Sequence, residues 1–93
     1  MKVFLTPAAK EDLRDIQKYI YKNNPKAAKK VSLHIIDRIQ TLLPTNPGIG
    51  RLTGVLRTKE LVINKYPYIV PYRVQENEIH ILRVLHTSRK WEF

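Results

Sequence analysis

Apolar residues recur along this chain with two different periods. Ala9, Leu13, Ile16 and Ile20 are spaced by four, three and four, which puts them on one stripe of an α-helix. Thr6 followed by Pro7 marks the start of that helix. Threonine accepts hydrogen bonds from free backbone N–H groups, and proline at the first helical position lacks one such donor. The pattern predicts a helix from Pro7 to near Asn23. Tyr19 and Tyr21 are expected to cover the edges of the stripe, and Glu11, Asp12 and Asp15 to lie near the positive end of the helix dipole. Asn24-Pro25 repeats the start signal. Ala28, Val31, Ile35, Ile39 and Leu42, widened by Ile36 and Leu43, predict a second helix of roughly five turns. So short a link folds the two helices into an antiparallel hairpin. Lys26, Lys29, Lys30 and Arg38 fall off the stripe and are expected in solvent.

The remaining pattern has the period of a strand. Lys2–Leu5 is a short strand candidate. Pro44 to Gly50 contains two prolines and two glycines and reads as an irregular loop. Val55–Asn64 is a strand candidate, and Lys65-Tyr66-Pro67 turns into the next. In Tyr68–Val74, residues Tyr68, Val70, Tyr72 and Val74 point one way, with Ile69, Pro71 and Arg73 opposite. Pro71 cannot donate to a ladder, so it implies an edge position or a bulge. After the polar turn Gln75-Glu76-Asn77, the run Glu78–His86 places Ile79, Ile81, Arg83 and Leu85 on one face and His80, Leu82, Val84 and His86 on the other. The expected fold is α+β: an N-terminal strand, an antiparallel helical hairpin, then a three-stranded antiparallel meander covered on one face by the helices.

Composition narrows the chemistry. A chain of 93 residues encloses one hydrophobic core, so residues 1–93 are expected to form a single domain. No apolar run approaches the ~20 residues that span a bilayer, and the N-terminus lacks a signal peptide's hydrophobic region. The absence of cysteine removes disulfides and thiolate metal sites and fits a reducing cytoplasm. His34, His80 and His86 lack a second ligand at a recognised spacing, so no metal and no cofactor is expected. Seventeen Lys and Arg against eight Asp and Glu give a net charge of +9, which implies an acidic partner. Arginine is concentrated in the second half, where its planar fork suits phosphate, carboxylate and aromatic groups.

Ser32 and Ser88 lie in no nucleophile-elbow context, so general acid–base cleavage of RNA is the enzymatic chemistry to weigh, with His86 as acid or base and Arg73, Arg83, Arg57 and Lys59 as cations. Arg73 and Arg83 are each embedded among Ile, Leu and Val. Burial of an unpaired guanidinium is costly, so each is expected to have a specific partner, either an external target or Glu60 or Glu78 within the chain.

Several segments in order carry a family resemblance. They are Ala9, Asp12 to Ile16, Tyr19-Ile20, Asn24-Pro25, Ala27-Ala28, Asn46-Pro47, Gly50-Arg51, Leu56-Arg57, Glu60-Leu61, the run PYIVPYRV from Pro67 to Val74, and ILRVLHTSRKW from Ile81 to Trp91. Together they resemble the RelE/ParE toxin superfamily of type II toxin–antitoxin modules, over nearly the whole chain and more in the manner of the ParE branch. The resemblance implies a cytoplasmic toxin that inhibits DNA gyrase, and so DNA replication, by binding rather than by catalysis. It also implies a cognate antitoxin that neutralises the toxin in a hetero-oligomer. Target contact is expected from Arg57, Arg73, Arg83, His86, Arg89, Lys90 and Trp91. The alternative it implies is a RelE-like, ribosome-dependent mRNA endoribonuclease using His86, Arg73 and Arg83. Against that pattern, Ile69 and Thr87 stand about where the nuclease carries catalytic arginines. The chain closes at Phe93, so no equivalent of the nuclease's C-terminal helix is expected.

Overall fold

In a computed structural model that describes residues 1–88, both predicted helices start where their capping residues stand. Helix α1 spans Pro7–Tyr21 and α2 spans Pro25–Leu42. The Thr6 hydroxyl accepts from the Ala9 N–H at 3.2 Å, and the Asn24 side chain accepts from the Ala27 N–H at 3.1 Å. Thr6 does more than cap. Its N–H donates to the Ile81 carbonyl at 3.1 Å and its hydroxyl to the Leu82 carbonyl at 3.0 Å, joining the start of α1 to the sheet.

Strands β1 (Lys2–Leu5), β2 (Arg51–Leu52), β3 (Lys59–Ile63), β4 (Tyr68–Gln75), β5 (Glu78–Ile81) and β6 (Leu85–His86) form one sheet. Its order is β1-β5-β4-β3-β2, with β6 also pairing β4. The β3–β4–β5 meander is antiparallel and β1 joins β5 in parallel. The turn between β4 and β5 has only two residues, Glu76 (φ 51°) and Asn77 (φ 65°). Positive φ at both central positions is the type I′ geometry, whose twist matches that of the flanking strands. The helices cover one face of the sheet. Ala9 and Leu13 from α1 and Ile35, Ile39 and Leu43 at the α2 end pack on Val70, Tyr72, Ile79 and Ile81, all buried.

Four expectations are corrected. The strand anticipated over Val55–Asn64 begins only at Lys59. Residues 53–58 instead form a turn in which hydroxyls replace ladder partners: Thr53 Oγ1 donates to the Thr58 carbonyl at 3.0 Å and accepts from the Val55 N–H at 3.0 Å. Gly54 and Arg57 in this turn have φ of 84° and 57°. Tyr19 and Tyr21 do not cover the hydrophobic stripe; they are 73% and 61% exposed. Glu11, Asp12 and Asp15 all lie beyond the first turn of α1, where the helix dipole has largely faded.

The fourth correction concerns Glu78–His86, which is not one strand. Tyr72 faces Ile81 and Ile69 faces Leu85, so Val70 and Pro71 oppose three residues, Leu82, Arg83 and Val84. That is a β-bulge, and it answers the puzzle of Pro71 in a central strand. The Leu82 N–H donates to the Pro71 carbonyl at 2.9 Å, so this side of Pro71 faces the bulge. In an antiparallel ladder a residue's N–H and C=O point to the same neighbour. The donor that Pro71 lacks therefore falls where the ladder is already interrupted. The extra residue also reverses the alternation: Val84 enters the helix-side core, Leu85 pairs with Ile69 on the outer face, and Arg83 is half-exposed.

The loop after α2 is pinned to the sheet by one hydroxyl. Tyr72 Oη accepts from the Gly50 N–H and donates to the Pro47 carbonyl, both at 2.8 Å. A Cβ on Gly50 would sit 2.5 Å from that hydroxyl and 2.9 Å from the Glu60 carbonyl, so only glycine fits.

Candidate functional site

The cationic side chains singled out from the sequence fall into three separate places. Arg73 stands on the outer face of β4, away from the helices, beside His80 of β5. Its Nη2 donates to Thr58 Oγ1 at 3.2 Å, while its Nε is buried with no hydrogen-bond partner. The carboxylates expected to serve it are engaged elsewhere on the same face. Glu60, buried, accepts from Arg51 Nε at 2.9 Å and Nη2 at 2.7 Å. Glu78 lies 3.2 Å from His80 Nε2, and the His80 ring stacks on Phe4 with centroids 5.7 Å apart.

Arg83 and His86 lie on the helix side, next to α1. The bulge turns Arg83 toward Asp12, which accepts from Arg83 Nε at 2.7 Å and Nη2 at 2.9 Å and from the Val84 N–H at 2.9 Å. The bidentate pair holds the Arg83 guanidinium above the ordinary arginine pKa, chiefly through the hydrogen bonds to Asp12. Neither Glu60 nor Glu78 is its partner. His86 is exposed at the end of β6. The Ser88 N–H donates to its Nδ1 at 3.1 Å, which leaves the neutral ring's proton on Nε2. The Ser88 hydroxyl also lies 2.8 Å from Nδ1. The Tyr68 ring meets His86 edge-on at 5.5 Å, and burial pushes the Tyr68 hydroxyl's pKa up, with the nearby Tyr19 adding to the rise. Between α1 and this end of the sheet is a cleft of about 580 Å³ whose walls include Asp15, Tyr19, Tyr68, Val84 and His86.

Arg57 occupies the third place, in the turn between β2 and β3 at the far end of the sheet. It is exposed and lines a larger cleft of about 730 Å³. Leu52 and Leu56, 83% and 81% exposed, border the same cleft, with Tyr72 and Val74 of β4. Lys59, another lining residue, donates to the Gly48 carbonyl at 3.3 Å.

The fold therefore brings His86 to the cleft beside α1, with Arg83 tied to Asp12 of its wall, while Arg73 and Arg57 stand elsewhere. Arg89, Lys90 and Trp91, also expected at the target surface, lie outside the described residues. Sequence reasoning passed over Asp12, Asp15, Tyr19, Leu52 and Leu56. A signal existed for part of that set: Asp12, Asp15, Ile16 and Tyr19 recur at i, i+3, i+4 and i+7, which is one helix stripe. No local signal distinguishes Leu52 and Leu56 from core leucines. Among the described residues, no group of three or more His, Asp or Glu side chains is arranged to hold a metal ion, and no helix is long and apolar enough to cross a membrane.

Residues 3–91 match the model of the family described as the ParE toxin of the type II toxin–antitoxin system parDE. The chain is 37% identical over 79 residues to Y4kP of Sinorhizobium fredii, covering 85% of this chain and 80% of that protein. It is 36% identical over 89 residues to toxin RelE2 of Caulobacter vibrioides, covering 95% and 97%. Among solved structures, it resembles a chain of the chromosomal ParDE toxin–antitoxin system of P. aeruginosa, with a TM-score of 0.87 and 29% identity over 95% of this chain and 97% of that one.

Proposed function

This chain belongs to the ParE toxin family of type II toxin–antitoxin systems, and from that premise we propose that it inhibits DNA gyrase by binding and has no catalytic site of its own. Membership in such a system implies an antitoxin protein as partner. Gyrase is the target that the ParE-like PYIVPYRV and RVLHTSRKW segments suggest. The observation that carries the binding reading is the dispersal of the groups an RNA-cleaving site requires. Cleavage by general acid–base chemistry needs an acid, a base and cations within hydrogen-bond reach of one phosphate. Arg73 is on the outer face of the sheet, Arg83 has two guanidinium nitrogens committed to Asp12, and His86 is beyond the bulge. Ile69, at a position where the ribosome-dependent nuclease is expected to carry arginine, is 6% exposed and uncharged.

Contact with the target is assigned to Arg57, Arg73, Arg83, His86, Arg89, Lys90 and Trp91, acting on acidic protein surface or DNA phosphate. Within that set Arg57 has the most favourable setting for protein recognition, because exposed Leu52 and Leu56 stand beside it. One feature favours the alternative, a RelE-like endoribonuclease acting on ribosome-bound mRNA: His86 is exposed and lines an open cleft, with Nδ1 bonded to Ser88.

The test follows supercoiling by purified gyrase with added toxin, beside primer-extension mapping of mRNA in a translating extract. Loss of supercoiling with intact mRNA is expected. Cuts at codon positions with normal supercoiling refute the gyrase assignment.

A further inference from the structure

We propose that the cleft between α1 and the β6 end of the sheet receives a single arginine side chain presented by a protein partner. The proposal stands apart from the choice between gyrase and ribosome, since it concerns what this cleft recognises and not which complex is poisoned.

The chain as a whole repels cations, with seventeen basic against eight acidic side chains. This cleft is a local exception. Asp12 and Asp15, two of the eight carboxylates, share its walls with the rings of Tyr19 and Tyr68. Asp12 is neutralised by Arg83 and also bonded to the Val84 N–H, so it is fixed in place. Asp15 forms no ion pair among the described residues. Directly across from α1 stand Tyr68 and His86, held edge to face. The cleft is therefore a cavity of about 580 Å³ with aromatic walls and one carboxylate that has no ion-pair partner among the described residues.

That combination selects for a cation with a flat face. An aromatic ring attracts a cation over its face, and a carboxylate beside it supplies a charge-assisted acceptor. A guanidinium satisfies both at once, stacking on the ring of Tyr19 while its N–H groups reach Asp15. An ammonium is more strongly hydrated and offers no plane to stack. Tyr19 is 73% exposed, which an ordinary core-edge tyrosine is not, and lies on the same helix stripe as Asp15. Its exposure has a use if a partner's side chain covers it. The apolar stem of arginine would lie against Ile16 and Val84, which line the floor of the cleft.

The experiment titrates the full chain with N-acetyl-arginine methylamide, followed by backbone amide NMR shifts. The citrulline analogue, equal in shape but uncharged, serves as the control. Saturable shifts at Asp15, Ile16, Tyr19 and Val84 are expected with the arginine probe and not with citrulline. Asp15→Asn and Tyr19→Leu, both at exposed positions, should each weaken binding about fivefold. Equal response to citrulline overturns the proposal. So do shifts spread over the Glu76–Glu78 turn instead of the cleft, or unchanged affinity in Asp15→Asn. Because wild-type titration alone can refute the proposal, a variant that failed to fold would not shield it.

Discussion

Replacing Asp12 by alanine tests whether α1 holds the bulged end of the sheet in place. The Asp12 carboxylate, 13% exposed, accepts three hydrogen bonds, two from Arg83 and one from the Val84 N–H. The loss has two unequal parts. Val84 is 2% exposed, so removal of its acceptor leaves a buried N–H without a partner, which costs about 1–3 kcal/mol. The ion pair itself is worth less: the Arg83 side chain is 36% exposed, and solvent screening limits its share to about 0.5–1 kcal/mol. Asp12→Ala should therefore destabilise by about 2–3 kcal/mol. Arg83→Met, which keeps the apolar stem and leaves the Val84 bond intact, should cost about 1 kcal/mol. Asp12→Asn retains an oxygen for Val84 and should fall near Arg83→Met. Urea unfolding followed by far-ultraviolet circular dichroism measures all three, with unchanged slope and shifted midpoint. In thermal unfolding each kcal/mol corresponds to about 4–8 °C for a chain of this size. If Asp12→Ala costs no more than Arg83→Met, the buried Val84 N–H carries no weight and Asp12 does not anchor the bulge.

Other expectations follow from single contacts. Gly50→Ala places a Cβ 2.5 Å from the Tyr72 hydroxyl and should destabilise by about 1–3 kcal/mol, read from the same urea midpoint. Glu76 occupies a left-handed turn position at φ 51°, so Glu76→Gly should stabilise the β4–β5 turn by about 1 kcal/mol; a loss of stability would contradict the turn assignment. Burial holds the hydroxyls of Tyr68 and Tyr72 above the usual tyrosine pKa. The folded state thus keeps protons that the unfolded chain releases. Their contribution is complete below the unfolded value of about 10 and is lost as pH rises through the folded values. Urea midpoints should drop on the alkaline side, and Tyr68→Phe should flatten that drop.

Capping residues and helical spacing were sufficient to place both helices, because a cap acts within one turn and an apolar stripe needs only its own sequence. The α+β class followed in the same way, from two helical stripes and runs of period two. The resemblance to the toxin family was legible for the same reason: its segments occur in order along the chain and need no knowledge of contacts. What the sequence could not contain was the pairing of distant residues. Pro71 announced an irregularity, but the bulge lies across from it, at Leu82 to Val84, and only the register of two strand pairs reveals the extra residue. That one residue reverses the alternation beyond Ile81. Arg83 itself sits within the bulge, on the side of Ile81, and there meets Asp12, 71 positions away, rather than the nearby glutamates. The cations expected to gather on one hairpin are parted for the same reason, since a strand's two faces and its two ends look identical in composition. The sequence by itself determined both helices, the α+β class and the family, through interactions of short range. The tertiary structure alone decided which charges meet, because that depends on strand register and on which face of the sheet the helices cover.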